Sequence, residues 1–162
     1  MESGRVLGSL AGEGKQICDK FGLVPTRRLI VLGAPGAGKT VLLMRLVRDL
    51  VARRENADDP VPVLLSLASW NPDKELREWL VSRLLVAYPH LKDPAPIDGS
   101  NNIAEALLEQ GLILPVLDGL EEIAHEVRGK AIGKINEALR PGEGIVLQPH
   151  RRVPTGNQCS RR

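Results

Sequence analysis

LIVLGAPGAGKTVLLMRLVRDLVA, residues 29–52, decides the fold. Leu29 to Leu32 form a continuous apolar run, the pattern of a strand buried on both faces of a parallel sheet. From Lys39 the period changes. Leu42, Leu43, Leu46, Leu50 and Val51 recur at helical spacing and predict a helix to about Arg54. Between the two periods, GAPGAGKT fits G-x-x-x-x-G-K-[ST] with Gly33, Gly38, Lys39 and Thr40 at the fixed positions. Small residues let the backbone wrap a phosphate closely and aim its N–H groups inward, while the helix start adds its positive dipole end. The candidate binding stretch is therefore Gly33, Ala34, Pro35, Gly36, Ala37, Gly38, Lys39, Thr40 and Val41. Lys39 can reach β- and γ-phosphates, and the Thr40 hydroxyl can sit on Mg²⁺.

Outward from this stretch, strands and helices alternate. VPVLLSL (Val61 to Leu67) is a second apolar strand. A helix follows, with Asn71 read as its N-cap and Pro72 in its first turn. Its apolar face comprises Leu76, Trp79, Leu80, Leu84 and Tyr88. NNIAEALLEQG is a short helix closed by Gly111. LILPVL (Leu112 to Leu117) is a third strand, and Val127, Ala131, Ile132, Ile135 and Leu139 stripe the helix after it. Ile145 to Leu147 make a fourth strand. The alternation predicts an α/β fold with a mainly parallel sheet and helices on both faces. Pro115 removes a ladder donor, so a local irregularity is expected in the third strand.

The third strand ends in LDGLEE. A carboxylate at that tip, Asp118, lies beside the phosphate loop in such a sheet and can hold Mg²⁺ directly or through water. Glu121 and Glu122 follow at once. One of them can orient and polarise an attacking water, or the pair can serve the dipole of the next helix; the sequence leaves both open. Thr40 and Asp118 are the candidate metal ligands, Glu121 and Glu122 the candidate catalytic residues.

Composition narrows the function classes. The chain has 162 residues, enough for one domain with a sizeable core. Only Phe21, Trp70, Trp79 and Tyr88 are aromatic, which predicts an aliphatic core. Lys and Arg number 22 against 20 Asp and Glu, but four of the arginines lie in residues 148–162. Without that tail the charge is −2, from 18 basic and 20 acidic residues, which argues against nucleic acid or an anionic membrane as partner. Cys18 and Cys159 lack metal-ligand spacing and read as unpaired thiols. His90, His125 and His150 form no cluster. No stretch approaches a membrane span or a signal-peptide core, so a cytoplasmic location is expected.

RRLIVLGAPGAGKTVLL, VPVLLSLASW, EWLVSRLLVAYP and LILPVLDGLEE together resemble the NACHT family of signalling P-loop NTPases, in its bacterial branch, over roughly Arg27 to Leu147. In that family the magnesium-binding Asp is followed by a small residue and by acids three and four positions on, which Asp118, Gly119, Glu121 and Glu122 fit. Ala34 departs from the frequent Glu. The resemblance implies ATP (sometimes GTP) with Mg²⁺, slow hydrolysis and nucleotide-dependent self-association within larger multidomain switches. It also implies a three-layer sandwich with strand order 1-4-3-2 and a fifth strand that this sequence does not supply. The expected organisation is a lead segment at 1–26, the core at 27–147 and a basic, disordered tail at 148–162.

That tail, QPHRRVPTGNQCSRR, carries no acid and no aromatic to stack a base. The family normally continues from such a strand into a Thr-Ser-Arg segment bearing a sensor arginine. A GC-rich back-translation of LQPHRRVP yields that segment when two nucleotides are inserted after the Leu147 codon. A frameshifted or truncated end after about residue 147, with impaired catalysis, is therefore the expectation. Two other readings remain: a non-catalytic module whose conformation is set by nucleotide, and a different P-loop enzyme such as a small kinase. The N-K-x-D base-reading motif of GTPases is absent, and EEIAHEVRGKAIGK has one Arg where a kinase lid needs several.

Overall fold

A computed structural model of the chain describes residues 17–23, 28–31, 36–95, 100–138 and 145–147. The lead segment before residue 17, the tail from residue 148, and Gly33, Ala34, Pro35 and Leu139 lie outside the described residues. The strands are β1 (Arg28–Ile30), β2 (Val61–Ser66), β3 (Ile113–Asp118) and β4 (Ile145–Leu147). The helices are α1 (Ile17–Gly22), α2 (Lys39–Ala52), α3 (Leu76–Ala87), α4 (Ile103–Glu109) and α5 (His125–Ala138). The four strands are parallel and lie in the order β1-β4-β3-β2.

β3 is the hub of the sheet because both its faces are covered. Val63, Leu65, Ile113 and Leu117 face one core with Leu76, Trp79, Leu80 and Leu84 of α3, Ala104 and Leu108 of α4, and Ala131 and Ile135 of α5. Leu114 and Val116 face the other, with Leu43 and Leu46 of α2 and Ile17, Cys18 and Phe21 of α1. The strand period of two thus feeds two cores, one on each side. Leu43 and Leu46 are fully buried, and truncating either to Ala costs about 2–5 kcal/mol. The core is mainly aliphatic but takes in Phe21, Trp70 and Trp79, the two indoles 6.3 Å apart.

Several sequence expectations shift. Pro115 causes no slip in the β2 ladder, whose register runs unbroken from Val61↔Ile113 through Val63↔Pro115 to Ser66↔Asp118. Leu112 O accepts from Val61 N at 2.8 Å, so the alternation of a parallel strand turns Pro115 toward β4. The described pairing on that side is Val116↔Val146. Helix α3 starts at Leu76, not beside Asn71. The Asn71 side chain accepts from Asp73 N at 2.9 Å, closing an Asx turn before the helix instead of capping it. Tyr88 lies past the end of α3 and is 42% exposed, and Val51 and Val127 are also exposed. Val47 packs beside Leu50 in the place expected of Val51.

Candidate functional site

Helix α2 opens on two glycines in the left-handed region, Gly36 at φ 73° and Gly38 at φ 71°. Among the described residues a Cβ at either would meet nothing within 4 Å, and the left-handed conformation itself requires glycine there. Gly38 is the N-cap residue, supplies no side-chain acceptor, and is followed by no acid in the first turn. Among the described residues no side chain thus caps the leading amides of α2, which lie at the positive dipole end of the helix. Gly36, Ala37 and Gly38 are exposed. Val41 points outward at 53% exposure.

Lys39 and Thr40 turn the other way, toward the tip of β3. Lys39 is only 8% exposed, and its Nζ stands 4.0 Å from Glu121 Oε1. The Thr40 hydroxyl donates to Asp118 Oδ2 at 2.9 Å. The second Asp118 oxygen, Oδ1, accepts from Gly119 N at 2.9 Å, fixing the carboxylate at both ends. Four of the residues singled out from two distant motifs therefore meet in one place.

The turn after β3 is tight. Gly119 adopts φ 82° and starts a 3₁₀ turn over Leu120–Glu122. A Cβ there would lie 3.1 Å from Glu122 Oε1, a contact that the exposed Glu122 side chain can relieve, so it is the left-handed conformation that calls for glycine. The turn separates the two glutamates. Glu121 is 28% exposed and faces Lys39, and its Oε2 is buried with no hydrogen-bond partner among the described residues. Glu122 is exposed, with its carboxylate beside Gly119.

Two residues near the site were not anticipated. Ser66 ends β2 directly opposite Asp118 in the register, and its hydroxyl accepts from Ala68 N at 3.3 Å. Its signal was the polar residue closing an apolar strand. Arg128, on α5, donates from Nη2 to both Glu121 O and Ile123 O at 2.9 Å. Its partners are backbone carbonyls, which no residue pattern marks.

The donor set fits Mg²⁺ of a particular kind. Among the described residues, no group of three or more His, Cys, Asp or Glu side chains is placed to hold a metal. Thr40 and Asp118 offer two hard oxygens side by side, too few for a stand-alone site. Magnesium normally takes one or two protein oxygens and completes its shell with phosphate and water.

The model of the NACHT domain family matches residues 27–142 of the chain. No curated protein and no solved structure matches it significantly. Among the described residues no helix is long and apolar enough to cross a membrane.

Proposed function

The chain belongs to the NACHT family of nucleotide-binding P-loop NTPases, and on that premise we propose that it binds ATP, with GTP as the alternative, together with Mg²⁺ and hydrolyses it slowly. The observation that carries this reading is the hydrogen bond from Thr40 to Asp118, which unites residues 78 positions apart at the start of α2 and the tip of β3. The amides opening α2 and the Lys39 ammonium form the cradle for the β- and γ-phosphates. Thr40 and Asp118 would hold the ion, which when bound neutralises charge developing on the phosphates.

Glu121 is the better base of the two acids, since it faces the phosphate-binding Lys39 whereas Glu122 is exposed. Its carboxylate would orient a water and accept a proton as the water oxygen bonds to the γ-phosphorus. The bond from that phosphorus to the β–γ bridging oxygen breaks, releasing nucleoside diphosphate and inorganic phosphate.

Phosphate release from ATP and from GTP by the purified chain tests this. Glu121→Gln should remove turnover while nucleotide stays bound, and Glu122→Gln should retain it. Loss of turnover in Glu122→Gln alone would move the base by one residue. Tight binding without turnover in the wild type would favour a nucleotide-dependent interaction module instead.

A further inference from the structure

The carbonyls around the acidic turn can be accounted for almost one by one. Gly119 O accepts from Glu122 N at 3.0 Å and Leu120 O from Ile123 N at 3.3 Å, which closes the 3₁₀ turn on itself. The next intrahelical geometry begins only at His125. Glu121 O and Ile123 O fall in the gap between turn and helix, and both are taken by the single Nη2 of Arg128. These bonds grip the backbone on either side of Glu122, immediately after the residue whose side chain faces Lys39. A mere helix anchor would need only one of them, and neither would have to include the backbone of Glu121.

We infer that Arg128 is a positioning residue: by gripping Glu121 O and Ile123 O it fixes the turn so that the Glu121 carboxylate faces Lys39. The inference rests on the reading of Glu121 as base and Lys39 as phosphate ligand. It has a consequence that a stabilising role lacks. The Glu121 carboxylate, 4.0 Å from Lys39 Nζ, competes with the phosphates for the same cation. Releasing the turn therefore lowers turnover but tightens nucleotide binding, because the competing anion is no longer held in place.

The test is a cycle on the full chain with Arg128→Met, Glu121→Gln and the double variant, read by titration with Mg²⁺-ATP, single-turnover hydrolysis and the unfolding midpoint. Arg128→Met keeps much of the apolar stem but no donor. Turnover should fall roughly tenfold or more in Arg128→Met, and the double variant should turn over no more slowly than Glu121→Gln alone. The Kd should tighten about threefold in all three, again without addition, as expected for losing one partly exposed ion pair. Arg128→Lys, which still offers several donors from one nitrogen, should keep the wild-type values. If Arg128→Met does not fold, Arg128→Gln, with two amide donors on a shorter stem, should show the same pairing of lower turnover and tighter binding. Additive losses of turnover, or weaker binding in step with a lower midpoint, would overturn the inference and leave Arg128 a structural anchor. If the wild type binds but does not turn over, the non-additivity in Kd decides alone. Equal affinity of wild type and Lys39→Ala would bring down the phosphate-site reading and this inference with it.

Discussion

Helices α2 and α4 begin in opposite ways. At α4 the chain satisfies its own amides: Asn102 Oδ1 accepts from Glu105 N at 3.0 Å, and the Glu105 carboxylate accepts from Asn101 N at 2.8 Å. This is the reciprocal logic of a capping box, displaced by one residue on the return bond. At α2 the N-cap is Gly38, with no side-chain acceptor and no acidic residue in the first turn of the helix. A helix of fourteen residues with a well-buried face can tolerate an uncapped start, because packing holds it. A helix of seven residues has less to spend and needs its cap. The difference sets a helix start capped by its own side chains against one that we propose holds a ligand.

The comparison breaks most readily at Lys39. If the start of α2 is an anion site, Lys39→Ala should weaken Mg²⁺-nucleotide binding tenfold to a hundredfold, the loss of a charge-assisted contact of about 1.5–3 kcal/mol. Calorimetric titration of both proteins checks this. Unchanged affinity would make α2 an uncapped helix and nothing more.

The two starts also differ in how much of each the sequence disclosed. That α2 begins at Lys39, straight after Gly38, was legible because the spacing of the motif sets it between a strand and a helix, and local order carries that. The place of Asp118 at the end of β3 was legible because an acid ends an apolar run. The Gly111 stop was legible too: it adopts φ 68° just past α4, where a residue with a Cβ is strained. Asn71 misled because its side chain has two local choices, capping a helix or closing an Asx turn. The turn wins here, and α3 begins four residues beyond Pro72. The segment between is tied to α5, where Lys130 bonds Asp73 and Lys134 bonds Glu75 at 2.9 Å. Those partners lie more than fifty residues away, so no local pattern shows them. Arg128 was hidden for a related reason, since carbonyl partners leave no mark on composition. That Glu121 faces Lys39 while Glu122 is exposed likewise needed the turn's geometry.

At α4 the expected effect is smaller and falls on stability alone. Asn102→Ala leaves Glu105 N without its acceptor and should cost about 1 kcal/mol, in the usual range for a lost cap. Chemical denaturation of the nucleotide-free protein measures it, through a lower midpoint at unchanged slope. Nucleotide affinity should not move. A change in affinity would mean that α4 communicates with the phosphate loop, and the division between fold-serving and ligand-serving starts would fail.

The start of α3 offers the finest test, because it is neither capped by a side chain nor left open. Glu75 is the N-cap but its side chain makes no capping bond, and the approach to it is held from outside by lysines of α5. Hydrogen bonding to Lys130, then attraction to its charge, holds the Asp73 carboxyl below the usual carboxylate range. A carboxyl whose folded pKa is lowered contributes stability that is present above its unfolded pKa, near 3.9 for an ordinary Asp. That contribution is lost as pH falls through the still lower folded value. The unfolding midpoint should therefore carry a small dependence on pH below about 4 that Lys130→Met removes, with no difference between the proteins in how stability varies with pH near neutrality. Both groups are largely exposed, at 53% and 71%, so salt should weaken the effect. If Lys130→Met instead tightens nucleotide binding, the α5 tether reaches the acidic turn through Arg128, two residues away, and α3 belongs with α2 and not with α4.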